Sequence, residues 1–376
     1  MRRALVINAG SSSLKVALAT RDGVVARHTI ERVDGPAALE DGFAACIEAL
    51  GIVRNPPEVV GHRIVHGGSA FTHPVRVDDE VVAAIDGLTP LAPLHQPPGL
   101  AALHEARRRF PDAPHVACFD TAFHATMPEA STRFALPRPL HDAGVRRYGF
   151  HGLSYEYVSG ELRRSHPTLA AGRVVIAHLG AGASLCAMCD GRSVATTMGM
   201  TPLDGLPMAT RPGRLDAGVL VHLLRTGVAV AGGAVTPLTL GQLDDLLNHR
   251  SGLLGMSGLS GDVRDLRGSA DPAAREALDF FAAAIAREIA GISTDIGGLD
   301  AIVFTAGIGE HDAELRADVV GRLAWLGAGL DAGANSRHAR ELHSADSDVA
   351  VLCIATDEAA VIAAHALEFS TYPEEP

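Results

Sequence analysis

The sequence predicts an α/β protein built from two related halves, and three observations carry that prediction. The first thirty residues read strand, loop, strand, turn, strand: residues 4–7 are apolar, 8–13 small and polar, 16–19 apolar, Asp22-Gly23 turns, and 24–30 resumes. In the second half the layout recurs, with 174–177 apolar, 180–184 a glycine loop, 185–189 apolar, Asp190-Gly191 a turn and 193–197 a further strand. After each unit, apolar runs that end in glycine or an acid alternate with segments of helical spacing. Two such units, each opening with a loop of phosphate-binding size, predict a duplicated α/β architecture with a cleft between two lobes.

The remaining elements follow in order. Residues 59–66 predict a strand ending at Gly67-Gly68, and 115–119 a strand ending at Asp120. Ser154 is read as the N-cap of a helix through Glu161. Asp271-Pro272 predicts a capped start for a long helix, whose Leu278, Phe281, Ile285, Ile289 and Ile292 have helical spacing and which Gly297-Gly298 ends. Residues 301–304 predict a buried strand, Gly307-Ile308-Gly309 a loop, 313–326 a helix, 349–354 a last strand, and Thr356-Asp357-Glu358 the lead into a final helix.

Composition narrows the function classes. Lys plus Arg number 32 against 44 Asp plus Glu, a net charge of −12, which opposes general binding to nucleic acid or anionic lipid. The five-residue apolar run before Asn8 is too short for a signal peptide, and no apolar stretch is long enough to span a bilayer. Five scattered cysteines suit a reducing compartment, so a cytoplasmic location is expected. Cys186 and Cys189 form a lone CxxC in a strand-like run, without the second pair a metal site needs.

Several segments carry chemistry. In Asn8-Ala9-Gly10-Ser11-Ser12-Ser13-Leu14-Lys15, small residues let backbone N–H groups converge on an anion, while hydroxyls and Lys15 add donors and charge. It leads into a strand and lacks the Walker spacing. His178-Leu179-Gly180-Ala181-Gly182 offers similar backbone chemistry, and Gly307-Ile308-Gly309 lies between a strand and a helix, a natural position for a nucleotide. Arg63 sits inside an apolar strand, where an arginine must meet an anion. Arg211, in a Thr-Arg-Pro-Gly loop, is a second candidate. Asp120 and Glu358 follow strands, where open α/β sheets place ligands, and such acids suit Mg²⁺ held through waters. His151 stands between glycines just before a helix, whereas His66, His73 and His124 are read as structural.

Taken in order, NAGSSSLK (8–15), GHRIVHGG (61–68), PLAPLH (90–95), CFDTAFH (118–124), RRYGFHG (146–152), HLGAGAS (178–184), TPLDGLPMATRPG (201–213), SGLSGDVRD (257–265), FTAGIGE (304–310) and ATDE (355–358) resemble the acetate/propionate kinase family of the actin-like ATPase superfamily. The resemblance implies a duplicated actin-like (ribonuclease H-like) fold, one lobe from 1–121 plus 361–376 and the other from 122–360, the latter holding the adenosine site and a homodimer interface. It implies ATP/ADP with acetate or acetyl phosphate as ligands and Mg²⁺, or Mn²⁺ in its place, as the metal. Asn8, Arg63, His151 and Arg211 then match contacts to acetate or the transferring phosphoryl, and Asp120, Glu358 and Asn8 match residues tied to metal and catalysis. Ser11, Ser13 and Lys15 match the first phosphate loop, and His178, Leu179, Gly180, Ala181 and Gly182 the second, with His178 also a catalytic candidate. Val65, Leu94 and Pro202 match the small apolar pocket for the methyl group. Asp262, Val263, Arg264, Gly307, Ile308, Gly309 and His311 match the nucleotide site. Four positions depart from the family pattern: Ala181 and His311 replace asparagines, Gln96 stands in the usual PLHNP, and Leu153 in the usual FHGTS.

Direct in-line transfer from ATP to acetate is the expected reaction, because an ionised carboxylate needs no general base. The alternatives are a propionate or other short-chain acyl kinase, a homologue that uses a different donor such as pyrophosphate, and a nucleotide-binding protein without activity. A sugar kinase of the same superfamily would recruit Asp120 as base for a neutral hydroxyl.

Overall fold

Alternating apolar residues bury both faces of the first strand, and the rest of the first sheet grows from it. The computed structural model describes residues 2–10, 13–31, 33, 35–52, 55–227 and 236–369. These fall into two compact units, one comprising Met1–Thr126, Phe134–Gly160 and Thr356–Pro376, the other Met127–Arg133 and Glu161–Ala355.

The first unit holds strands β1 (Ala4–Ala9), β2 (Ser13–Thr20), β3 (Gly23–Glu31), β4 (Val59–Ile64), β5 (Val75–Arg76) and β6 (His115–Phe119), in the order β3-β2-β1-β4-β6-β5. β1, β2 and β3 form an antiparallel meander, whereas β4 is parallel to both β1 and β6. Ala4 and Val6 pack with Val59, Val116 and Ile362, while Leu5 and Ile7 pack on the opposite face with Phe43, Val60 and Ala106, as the period of two requires. The last helix, Glu358–Phe369, lies so close to β4 that a Cβ on Gly61 would come within 2.5 Å of Ile362 Cγ2. A glycine on β4 is the condition for that close approach, and it brings the helix start, with Glu358, to the first unit's sheet.

The second unit repeats the plan. β7 (Arg173–Leu179), β8 (Ala183–Cys189) and β9 (Arg192–Thr196) form an antiparallel meander, and β10 (Ala301–Thr305) and β11 (Ala350–Cys353) continue it in parallel, in the order β11-β10-β7-β8-β9. β7, β8, β9, β10 and β11 thus take the places of β1, β2, β3, β4 and β6, and β5 is an added edge strand. The helix Pro272–Ser293 begins as its sequence predicts, with the Asp271 carboxylate accepting from the Ala273 N–H. Its stripe of Leu278, Phe281, Ile285, Ile289 and Ile292 is buried and packs on β7 and β8.

Three local expectations need correction. β4 ends at Ile64, so Val65 lies just beyond the strand. The helix expected to start after Ser154 begins at Gly152 and runs to Ser165, which leaves Ser154 buried inside its first turn; the Gly152 N–H is held by the Asp120 carbonyl at 2.8 Å instead of by a side-chain cap. Gly307-Ile308-Gly309 lies within a short helix, Ala306–His311, entered through Ala306 at φ 65°.

Cys46, Cys118, Cys186, Cys189 and Cys353 are all free thiols, and among the described residues no helix is long and apolar enough to cross a membrane.

Three buried histidines of the first unit bear on stability. His62 Nε2 and His115 Nδ1 are 2.9 Å apart, and His115 Nε2 donates to the Phe110 carbonyl at 3.1 Å. The Phe110 contact fixes the His115 proton on Nε2, so His62 donates to His115 and its own Nδ1 is left buried without a partner. Burial is the main cause that lowers His62 and His115, and it pushes His124 down to about 4 against the opposing hydrogen bond to the Phe150 carbonyl. All three fold as neutral rings, whereas the unfolded chain protonates them below about pH 6.5. Acid therefore favours the unfolded state. The denaturant midpoint is expected to fall progressively as pH drops from about 6.5 towards 4; a midpoint that stays level across that window would contradict the burial argument.

Candidate active site

Three parallel strands of the first unit end side by side, and each delivers one polar residue. Asn8 stands near the end of β1, Arg63 is the penultimate residue of β4, and Asp120 follows β6 directly. Arg63 donates from Nε to Asp120 Oδ1 at 2.9 Å and from Nη2 to Oδ2 at 2.6 Å, a bidentate pair. Its third nitrogen, Nη1, donates to Asn8 Oδ1 at 3.2 Å and lies 3.8 Å from Glu358 Oε2. Asn8 Nδ2 in turn donates to that Glu358 oxygen at 3.4 Å. The Asp120 side chain is 1 % exposed, while those of Arg63 and Glu358 keep 19 % and 18 %. Burial alone would lower the Arg63 guanidinium, but the charges of Asp120 and Glu358 and the hydrogen bond to Asp120 outweigh it and raise it. Arg63 is permanently cationic.

The flanking loops add to this cluster. Lys15 pairs directly with Asn8 across β1 and β2, so both point to one face of the sheet, and Lys15 is exposed. Gly10 N–H donates to the Ser13 carbonyl at 2.8 Å and closes the turn; Ser11 lies outside the described residues. His151 adopts φ 60°, a strained conformation for a residue with a side chain. Its neighbour Gly152 donates its N–H to the Asp120 carbonyl at 2.8 Å, so close that a Cβ there would meet this oxygen at 2.2 Å. His151 is thereby tied to the backbone that carries Asp120. Val65 and Leu94 are both half-buried in this unit.

The second unit supplies a different arrangement. His178 is buried on β7, opposite Ser184 on β8 and Thr305 on β10. Beyond Leu179 the loop folds back, with Gly180 N–H donating to the Gly182 carbonyl at 3.0 Å and the Ala181 carbonyl accepting from Ala209 N–H at 3.1 Å. That contact docks the glycine loop on the segment bearing Arg211. Arg211 donates from Nη1 to the Pro202 carbonyl at 2.9 Å and has no acidic partner among the described residues. Burial pulls its guanidinium down to about 10, which leaves it charged at neutral pH. A desolvated cation with one carbonyl for company is a site that an anion would stabilise.

Beside the glycine loop lies a cavity of about 900 Å³, lined in part by Gly180, Ala181, Val263, Arg264, Gly307 and Ile308. Its size suits a small organic ligand. Asp262, another lining residue, caps the helix Val263–Gly268 and is paired with Arg264 at 2.6 Å; Gly309 is buried behind the wall and His311 also lines it. The sequence reading missed Arg267, Asp312, Glu314 and His338 of the same cavity. Arg267 reaches Glu314 at 3.1 Å and Asp312 at 3.3 Å, a network built from separate helices that no local motif announces.

Among the described residues no cluster of three or more His, Cys, Asp or Glu side chains forms a metal cage. A nucleotide-bound Mg²⁺ needs none, because it keeps several waters and takes one or two carboxylates plus phosphate oxygens. The donor set fits that mode: both Asp120 oxygens are taken by Arg63, and Glu358 presents a partly exposed carboxylate beside the Asn8 amide.

The model of the acetokinase family matches residues 37–364. An acetate kinase of Rhodopseudomonas palustris is 45 % identical, covering 96 % of this chain and 96 % of its own length. One from Rhizobium meliloti is 42 % identical, covering 98 % of each. Among solved structures, Porphyromonas gingivalis acetate kinase superposes with a TM-score of 0.84 at 32 % identity, over 98 % of this chain and 99 % of its own. A propionate kinase of Francisella tularensis gives 0.87 at 31 % identity, over 98 % and 100 %. The repeated sheet plan is accordingly the actin-like one of these kinases, and the chain belongs to the acetokinase family.

Proposed function

We propose that this chain transfers the γ-phosphoryl group of ATP reversibly to acetate, giving acetyl phosphate and ADP by direct in-line displacement. The observation that carries the reading is Arg211, a half-buried, desolvated guanidinium with no carboxylate to neutralise it among the described residues. Family membership, and relatives named as acetate kinases, support the same reaction. A carboxylate acceptor is already ionised at pH 7, so the chemistry asks for alignment and charge neutralisation instead of a base.

In this reading one acetate oxygen forms a bond to the γ-phosphorus as the bond to the β–γ bridging oxygen breaks, and no proton moves. Arg63 and Asn8 orient the acceptor, with Asp120 and Glu358 fixing their geometry. Arg211, His151 and His178 stabilise charge on the transferring phosphoryl. Ser11, Ser13 and Lys15, with Leu179, Gly180, Ala181 and Gly182, take the phosphates. Asp262, Val263, Arg264, Gly307, Ile308, Gly309 and His311 take the nucleoside. Glu358 and Asn8 would hold Mg²⁺, which when bound neutralises phosphate charge. Val65, Leu94 and Pro202 surround the methyl group, and the likeness to a propionate kinase makes propionate the second acceptor to test. The free thiols fit a reducing, cytoplasmic setting.

A homodimer through the second unit belongs to the same proposal. Leu215, Val219, Val221 and Leu224 in and beside the helix Ala217–Arg225 are exposed, apolar side chains that a partner would cover. Sedimentation equilibrium is expected to return twice the chain mass, and Val221→Glu to shift it towards monomer; a wild-type protein that stays monomeric would refute this part.

With ATP, Mg²⁺ and hydroxylamine, acetate is expected to yield acetohydroxamate, and Arg211→Ala to lower kcat at least about 100-fold with its circular dichroism unchanged. Wild-type protein that forms ADP with a sugar but no hydroxamate, or an Arg211→Ala variant near wild-type turnover, would overturn the assignment.

A further inference from the structure

Arg316 is fully buried, yet it has no carboxylate within ion-pair distance among the described residues. All of its hydrogen bonds go to neutral acceptors. Nε donates to Asn335 Oδ1 at 2.8 Å, Nη1 to the carbonyls of Gly309 at 2.8 Å and Glu310 at 2.9 Å, and Nη2 to the Asn335 carbonyl at 3.0 Å and His338 Nδ1 at 2.9 Å. A guanidinium has only donors, so His338 Nδ1 must accept, and the proton of the neutral ring sits on Nε2.

His338 lines the cavity, with its ring edge-to-face against His311 at 6.1 Å between centroids. Its backbone is held at φ 51°, a conformation a side-chain-bearing residue adopts rarely. Nε2 has no partner among the described residues. The arrangement presents one fixed N–H donor on a cavity wall whose other lining groups include the apolar Val263 and Ile308.

Its position along the cavity identifies what it meets. Gly180 adjoins the start of the helix Ala306–His311, since a Cβ on it would lie 3.9 Å from Ala306 Cβ. Arg316 grips the opposite end through the carbonyls of Gly309 and Glu310, and its Nη2 holds His338 there. Four residues along the helix, from Ala306 to Glu310, separate the two contacts by roughly 6 Å. With the phosphates on the glycine loop, the far end holds the base.

We propose that His338, oriented by Arg316, donates from Nε2–H to a ring-nitrogen acceptor of the purine, and that this contact helps to set nucleotide preference. Arg316 is the positioning residue. The inference rests on the kinase reading above, because it takes the cavity to be the nucleoside site.

Calorimetric ADP binding and initial rates with ATP and its 1-deaza, 3-deaza and 7-deaza analogues test it in wild type, His338→Ala and His338→Gln. His338→Ala is expected to weaken ADP binding and raise the ATP KM about five- to tenfold, with the acetate KM unmoved. His338→Gln, which keeps a donor, is expected to stay within about twofold of wild type. One deaza analogue is expected to be a poor donor for wild type and to suffer no further loss in His338→Ala. Unchanged ADP binding in His338→Ala, equal losses in both variants, or additive losses with every deaza analogue would overturn the proposal. Wild-type protein that binds ADP but makes no acetohydroxamate would instead sink the kinase reading, and the binding series would still decide the role of His338.

Discussion

The bidentate pair between Arg63 and Asp120 is the constraint on which the first unit's site depends. Asp120 is almost wholly buried at the end of β6, and a carboxylate there is tolerated only with a partner that satisfies both oxygens. Arg63, one strand away on β4, does so with two of its three nitrogens. The third is left to hold Asn8 and Glu358. A single ion pair thus holds a cation, an amide and a second carboxylate together, and the parallel register of β1, β4 and β6 makes that possible. Were the strands antiparallel, their polar ends would fall on opposite edges of the sheet.

The second unit uses the same sheet plan for a different electrostatic purpose. Its corresponding loop is poor in side-chain donors and is docked through backbone bonds on the Arg211 segment. Arg63 is compensated by protein acids and is stable by itself, whereas Arg211 is desolvated without one. That difference separates a cation neutralised by protein carboxylates from one that is not. Arg316 is a third solution, a buried guanidinium satisfied by neutral acceptors alone, and it works as a rigid strut behind the cavity.

Much of this was legible in the residues. The period-two strands, the repeated meander and the capped start at Asp271 follow from local pattern, and Arg63 stood out because an apolar strand has no reason to carry it. The ordered motifs resembling one kinase family then assigned roles that periodicity alone left open. The start of the helix at Gly152 was not legible, since it depends on the Asp120 carbonyl, a contact between residues distant in sequence. Nor was the short helix at Ala306, whose first residue takes a conformation that glycine usually supplies. Arg316 and His338 lie in no recognised motif, and only the packing of residues 331–338 on the helix Ala313–Arg322 brings them together.

Asp120 anchors Arg63 through both carboxylate oxygens, and an ionised acceptor asks for no base from it. Asp120→Asn keeps the shape, removes the charge and exchanges one acceptor oxygen for a donor facing the guanidinium. Loss of alignment is expected to lower kcat for acetohydroxamate formation at least about 100-fold, while ADP binding to the second unit stays at the wild-type level. Turnover within a few-fold of wild type would contradict the central claim, because the pair would then be dispensable to the chemistry it is held to organise.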